Sequence, residues 1–278
     1  MHYSGRLNND IDCNDYGSDF TWQTQQLYGS SVYGESCMHV DLDGHTIKNA
    51  IVAPNNVMFD LKTSSELKNG KLRNIFLSGA QSFIKSSSNI PKVEQLSISA
   101  EATGITSYFS NNVLFDSCAV FIQSYSELAE KLFTTYSDTV TILNNCDVKF
   151  AIENANEKEM IGMMSGYGGA VNKVAGCRFT GYIKGRACGS GSSRSVISRT
   201  LSYMDSCCFD VDFSEMWGDS PTVNWMVSTI ISGALTGSVV NGDLGNGYVT
   251  GNNVVTNQEI VNGDALRSKG FVVVNVSA

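Results

Sequence analysis

Asp210 and Asp212 are the residues of this chain best placed to do chemistry. They lie in the run Cys208-Phe209-Asp210-Val211-Asp212-Phe213, where strict alternation sends Phe209, Val211 and Phe213 to one side of a strand and both aspartates to the other. Carboxylates two residues apart on a strand stand about 7 Å from each other, inside the range of about 6.5–9.5 Å that inverting glycosidases use for an acid and a base. Glu215 follows, and Trp217 and Trp225 supply rings that can stack on sugars while the acids take hydroxyls. Outward acids on a strand are, however, more often a solvated face than a catalytic pair. Ligand binding by Asp210, Asp212, Glu215, Trp217 and Trp225 is therefore the first reading, and cleavage by Asp210 and Asp212 the alternative.

Other catalytic sets are weaker. The only histidines are His2, His39 and His45, all near the N-terminus, and no nucleophile-elbow phrase accompanies them. Asp41, Asp43 and His45 alternate as metal ligands would, but Gly44 breaks the segment into a turn, where Asp commonly bonds its own backbone. The eight cysteines contain no CxxC pair, and Cys207 and Cys208 are adjacent, which suits neither ordinary disulfide geometry nor zinc ligation. No metal and no cofactor are expected.

The elements that must position these residues are short strands. The chain carries a loose repeat in which a polar residue is followed by a small or apolar one and then by alternating strand residues. Copies include Ile47-Lys48-Asn49-Ala50-Ile51-Val52, Leu72-Arg73-Asn74-Ile75-Phe76-Leu77, Phe115-Asp116-Ser117-Cys118-Ala119-Val120 and Leu143-Asn144-Asn145-Cys146-Asp147-Val148. With Asn49, Asn74, Gln95, Ser117, Asn145, Gly176, Ser206 and Ser232 taken as equivalent, the intervals are 25, 21, 22, 28, 31, 30 and 26. Periods of roughly 20 to 50 residues signal a solenoid or an array, and β-rich units cut by Asn, Gly and Ser exclude helical repeats. The fold expected is all-β: a single-domain right-handed parallel β-helix with uneven coils of about 21–31 residues.

Stacking coils about 4.8 Å apart lets small inward side chains form ladders. Cys118, Cys146, Cys177 and Cys207 fall at one place in the repeat and are expected to form a ladder of buried free thiols. Ser124-Tyr125-Ser126-Glu127 resembles a capping box, with Leu128, Leu132 and Tyr136 at helical spacing, which predicts a short helix from about 126 to 136. Residues 1–40 lack the repeat and read as an N-terminal cap or docking segment, with 41–278 as the solenoid. Atypical end units cover the open core and the unpaired strand edge of a solenoid.

Composition agrees. Charged residues are only 17% of the chain, Gly occurs 26 times and Pro 3 times, a mix suited to many short strands joined by turns. A net charge of −8 argues against nucleic acid as a partner. No apolar run is long enough to span a membrane, and Met1-His2-Tyr3-Ser4-Gly5-Arg6 lacks the apolar core of a signal peptide.

Val40-Asp41-Leu42-Asp43-Gly44-His45-Thr46-Ile47-Lys48-Asn49, with Asp10-Ile11-Asp12-Cys13-Asn14-Asp15-Tyr16-Gly17 upstream, resembles the opening coil of pectate-lyase-like phage β-helix proteins. The resemblance implies a virion component assembled in the host cytoplasm: a tail spike, head fibre or capsid decoration. It further implies a homotrimer whose partners are other virion proteins or a host surface polysaccharide. It does not imply catalysis. A pectate-lyase calcium site would need acids clustered from successive coils beside a basic catalytic residue, and no such column is found.

Overall fold

The computed structural model of the chain describes residues 3–23, 25–27, 38–61, 65–78, 82–86, 90–103, 109–110, 113–126, 133–135, 140–154, 164–166, 171–186, 198–205, 208–212, 216–217, 227–232, 239–241 and 272–274. The first repeat holds β1 (Tyr3–Arg6), β2 (Ile11–Asp12) and β3 (Gln25–Leu27). The second holds β4 (Met38–Asp41), β5 (Thr46–Lys48), β6 (Ile51–Val52) and β7 (Val57–Leu61). Next come β8 (Glu66–Ser78) with β9 (Ser82–Ser86), and β10 (Lys92–Thr103) with β11 (Phe109–Ser110). They are followed by β12 (Val113–Asp116), β13 (Ala119–Ser126) and β14 (Phe133–Thr135), then by β15 (Val140–Asn144), β16 (Asp147–Asn154) and β17 (Met164–Gly166). The later strands are β18 (Val171–Ala175), β19 (Arg178–Arg186), β20 (Ser198–Asp205), β21 (Cys208–Asp212), β22 (Met216–Trp217), β23 (Val227–Ser232), β24 (Val239–Asn241) and β25 (Val272–Val274).

Every strand pairing among the described residues is parallel, and each joins a strand to its counterpart one repeat away. The described chain is therefore all-β, with one large parallel sheet and nearly no helix; among the described residues the exception is a 3-10 turn at Cys13–Tyr16. Such stacking is compatible with a β-helix or solenoid. Strands from residues 1–40 take part in it: β1 pairs with β4, β2 with β5 and β3 with β7.

Three ladders result. One runs β1, β4, the start of β8, the start of β10, β12, β15 and β18. A second runs β2, β5, the rest of β8, the rest of β10, β13, β16, β19, β21, β24 and β25. The third runs β3, β7, β9, β11, β14 and β17. Alternation gives the second ladder a continuous apolar column: Ile11, Ile47, Leu72, Ile98, Val120, Val148 and Phe179 stand in line. From Ile47 onward each of them is buried. The register continues through Phe209, Val240 and Val273. Phe115, Leu143 and Val174 form a matching buried column on the first ladder.

The turn between the first and second ladders is set by one residue per repeat in the left-handed region. Asn69, Gln95, Ser117, Asn145 and Gly176 have φ of 56°, 51°, 54°, 52° and 60°. Only glycine, and after it asparagine, adopts this region at little cost. At Gly176 a Cβ would meet Asn145 Oδ1, the end of an exposed side chain that can turn aside, so it is the left-handed φ of 60° that suits glycine there. The alignment read from the sequence needs one correction here. Gln95 stacks over Asn69, since Glu94 pairs with Lys68 and Leu96 with Gly70; Asn74 belongs instead with Asn49. That second column, also left-handed, ends at β10, where the register shifts between Ile98 and Ala100 so that Ser99 faces both Arg73 and Asn74.

The helix expected from 126 to 136 is corrected where it is described, at Ser126 and at Phe133–Thr135, which are strand; residues 127–132 and 136 lie outside the described residues. Ser126 closes β13 against Asn154, and Phe133–Thr135 pairs with Met164–Gly166. The local capping signal is overridden by neighbours that lie about 30 residues away in sequence, a distance over which propensity carries no information.

Candidate functional site

β19 gathers three of the sequence-singled residues onto one ladder. Asp210 pairs with Thr180 and Asp212 with Tyr182, while Trp217 pairs with Arg186 at the far end of the same strand. Asp210 has Asn241 on its other side. Glu215 and Trp225 lie outside the described residues. One repeat back, Thr180 is in register with Lys149 and Tyr182 with Ala151. The Tyr182 hydroxyl donates to Glu153 Oε1 at 3.1 Å. Lys149 Nζ sits 5.5 Å from the centre of the Phe121 ring, close enough for cation–π attraction. The acid strand thus adjoins a face that alternates rings, a hydroxyl, a carboxylate and a cation, groups suited to sugar hydroxyls and ring faces. Tyr182 and Glu153 were not singled out by sequence; the alternation of Arg178-Phe179-Thr180-Gly181-Tyr182 was the signal that puts Tyr182 outward beside Asp212.

The thiol ladder is present through three of its four members. Cys118, Cys146 and Cys177 are buried and in no disulfide, each just after the left-handed turn residue of its repeat. Their thiols donate to the carbonyls of Asp116, Asn144 and Ala175 at 3.4, 3.2 and 3.2 Å, and the Cys118 thiol also reaches the Val93 carbonyl at 3.5 Å. All three side chains are buried, so the sulfurs stack inward. Hydrogen bonding with the Cys118 thiol, together with burial, pushes the Cys146 thiol up to about 12. Parallel Cβ atoms one strand spacing apart, about 4.8 Å, exceed the about 3.5–4.5 Å of a disulfide. The column is therefore built to stay reduced. Cys207 lies outside the described residues. Leu96 and Gly70 continue the column toward the first repeats, and Leu42 fills the space above Gly70: a Cβ on Gly70 would stand 2.3 Å from Leu42 Cβ.

Near the N-terminus a polar network joins the first two repeats. Asp10 accepts from the Thr46 N–H at 2.9 Å and contacts His45 Nδ1 at 3.1 Å. Asp12 accepts from Asn49 Nδ2 at 2.8 Å and from the Asn14 N–H at 3.1 Å, and pairs with Lys48 at 3.1 Å. Asn74 Nδ2 extends the ladder by donating to Asn49 Oδ1 at 3.2 Å. The Asn49 amide above all, then the Asn14 N–H and Lys48, hold the Asp12 carboxyl below the usual carboxylate range. The Thr46 N–H and His45 do the same for Asp10. Asp41, Asp43 and His45 do not converge. Asp41 Oδ1 accepts from the Asp43 N–H at 2.8 Å and from Asn69 Nδ2 at 3.1 Å, Asp43 pairs with Arg6, and His45 faces Asp10. Gly44, at φ 81°, makes the turn that separates them. Among the described residues no cluster of three or more His, Cys, Asp or Glu is arranged to hold a metal ion, and no helix is long and apolar enough to cross a membrane. No family model, curated protein or solved structure matches the chain.

Proposed function

We propose that the chain is a single-domain right-handed parallel β-helix serving as a non-enzymatic bacteriophage structural protein: a head fibre, tail spike or capsid decoration that presents a rigid face to a host surface glycan or a neighbouring virion protein. The observation that carries the reading is the register itself. Every outward residue of the second ladder repeats at one strand spacing, about 4.8 Å, over a continuous buried column, which gives a stiff surface with side chains at fixed intervals. The right hand follows from the twist of L-peptide strands, which favours right-handed crossovers between parallel strands. A second support is local. The two segments that resemble phage β-helix proteins bond to each other through Asp10, Asp12, His45, Thr46 and Asn49, so the resemblance falls on one built unit. A trimer, which the resemblance implies, is the proposed assembly.

Quantitative mass spectrometry of purified particles from the source culture tests this. A copy number stoichiometric with the capsid protein, in multiples of three, is expected; absence from particles overturns the reading. In that event the alternative is a small polysaccharide depolymerase using Asp210 and Asp212, favoured by the register of Asp212 beside Tyr182. Loss of polysaccharide cleavage in Asp212→Asn is its test.

A further inference from the structure

Carboxylates hold the joint between the first and second repeats. Arg6 pairs with Asp43, His45 Nδ1 meets Asp10 at 3.1 Å, and Lys48 pairs with Asp12 at 3.1 Å. Asp10 and Asp12 also accept from the Thr46 N–H and from Asn49 Nδ2. The apolar part of the joint is thin by comparison. Leu7 and Ile11 are half-buried, whereas Leu42 and Ile47 of the second repeat are buried against the repeats that follow. Cys13 and Trp22 are the buried apolar side chains of the first repeat, and Trp22 Nε1 donates to the Met58 carbonyl at 3.2 Å.

In a stack of repeats each unit touches only its neighbours, so a weak joint opens without the rest. This joint needs its acids ionised. The Thr46 N–H, then His45, hold the Asp10 carboxyl below the usual range; the Asn49 amide, then the Asn14 N–H and Lys48, do so for Asp12; Arg6 does so for Asp43. Asp41, near Arg6, is the remaining charged group that faces the cluster. An acid held low in the closed state stabilises closure above the ordinary value of about 3.9, and that stabilisation is lost as pH falls below it. At the next joint Glu66 is also held low, by Lys68 and His39 against the cost of its burial. There, however, the buried Leu67 and Leu72 carry the contact with the second repeat.

We propose that this joint is an acid-sensitive latch: when Asp10, Asp12 and Asp43 are protonated, the first repeat detaches as a unit and bares the edges of β4, β5 and β7, while the later repeats stay stacked. Those three edges are the ones that β1, β2 and β3 cover in the closed chain. A closed latch therefore blocks any other strand from pairing there, and an open one admits it. The latch is a property of the fold and does not depend on the role proposed above.

The test is hydrogen–deuterium exchange of the full chain read by mass spectrometry at about pH 6 and about pH 3.5, with rates corrected for the intrinsic pH dependence of exchange. Protection of residues 3–23 should fall about tenfold or more at the lower pH, while residues 113–126 and 140–154 keep theirs. Asp10→Asn/Asp12→Asn should open the first repeat already near neutral pH. Cys13, buried and in no disulfide, then reports the opening. Its alkylation should be about tenfold or more faster in the double variant than in wild type, with Cys118, Cys146 and Cys177 unchanged. Exchange of residues 3–23 in step with 113–126 at both pH values overturns the latch, and so does a folded double variant that protects Cys13 as wild type does. A double variant that failed to fold would show fast alkylation of all four cysteines; the wild-type comparison needs no variant and decides the matter by itself.

Discussion

Native-state labelling of the cysteine column tests the ladder where the structure alters chemistry most. Alkylation proceeds through the thiolate, and an ordinary cysteine with a pKa of about 8.5 is about one quarter thiolate near pH 8. Cys146, pushed up to about 12, is only about one part in 10⁴ thiolate at that pH, a suppression of about three orders of magnitude before steric exclusion is counted. Burial adds to this, since Cys118, Cys146 and Cys177 are each nearly inaccessible, and reagent can reach them only when the parallel ladder opens locally. The assay is a time course with iodoacetamide near pH 8, native against guanidinium-unfolded, with each cysteine-bearing peptide quantified by mass spectrometry. The Cys146 peptide of the native chain should react at least about 10³-fold more slowly than the unfolded one, and all three should react together once the chain unfolds. A native rate within about tenfold of the unfolded rate at Cys146 would refute both the burial and the stacking.

Two further outcomes follow from the first repeats. Gly70→Ala places a methyl 2.3 Å from Leu42 Cβ and 2.9 Å from the His45 carbonyl; neither atom can rotate away, so the backbone must move. Destabilisation at or above the usual overpacking range of about 1–3 kcal/mol is expected in denaturant melts, and an unchanged midpoint would contradict the register of β8 on the second repeat. Acid should also loosen this end. The Asp10 and Asp12 carboxyls lie below their ordinary range in the folded chain, so the unfolded chain binds protons first. Their stabilisation is complete above the ordinary value of about 3.9 and is lost as pH falls below it. Asp12→Asn should flatten the melting temperature against pH below about pH 4; an unaltered profile would show that the Asp12–Asn49–Asn74 ladder is not coupled to folding.

Much of the architecture was legible because its signals are local. Alternation gave the strands, and small or apolar residues after a polar turn residue gave the repeat and three of the cysteines that stack. What failed did so for nameable reasons. β8 carries two left-handed asparagines, Asn69 and Asn74, each followed by a buried position, so sequence alone offers two equivalent anchors for Gln95. The choice is made by Ser99 spanning Arg73 and Asn74, an irregularity without a sequence signature. The segment after Ser124 offered a helix cap, yet Ser126 and Phe133–Thr135 are claimed by strands of the following repeat. For the candidate site, alternation placed Asp210 and Asp212 on one strand, whereas the nearness of Tyr182 and Glu153 depends on loop lengths between repeats that no periodicity encodes.

Charge placement contributes to register on both described faces. In a parallel stack every residue meets its own counterpart one repeat away, so a like-charge column is repulsive wherever it is not interrupted. The first ladder alternates sign from Arg6 through Asp41 and Lys68 to Glu94, and where Asp116 then faces Glu94 the ammonium of Lys92 pairs with both carboxylates. A slip by one repeat would bring like charges together, so the face helps to specify register. The second ladder uses the same device in places, with Asp12 against Lys48 and Asp147 against Arg178. Lys71 and Arg73 are exposed and, among the described residues, make no ion pair; at these repeats the buried column from Ile47 to Phe179 carries the register. With the apolar interior fixing which residues stack, the outward positions of the second ladder are free to vary from repeat to repeat, from Lys48 and Arg73 to Phe121, Lys149 and Thr180.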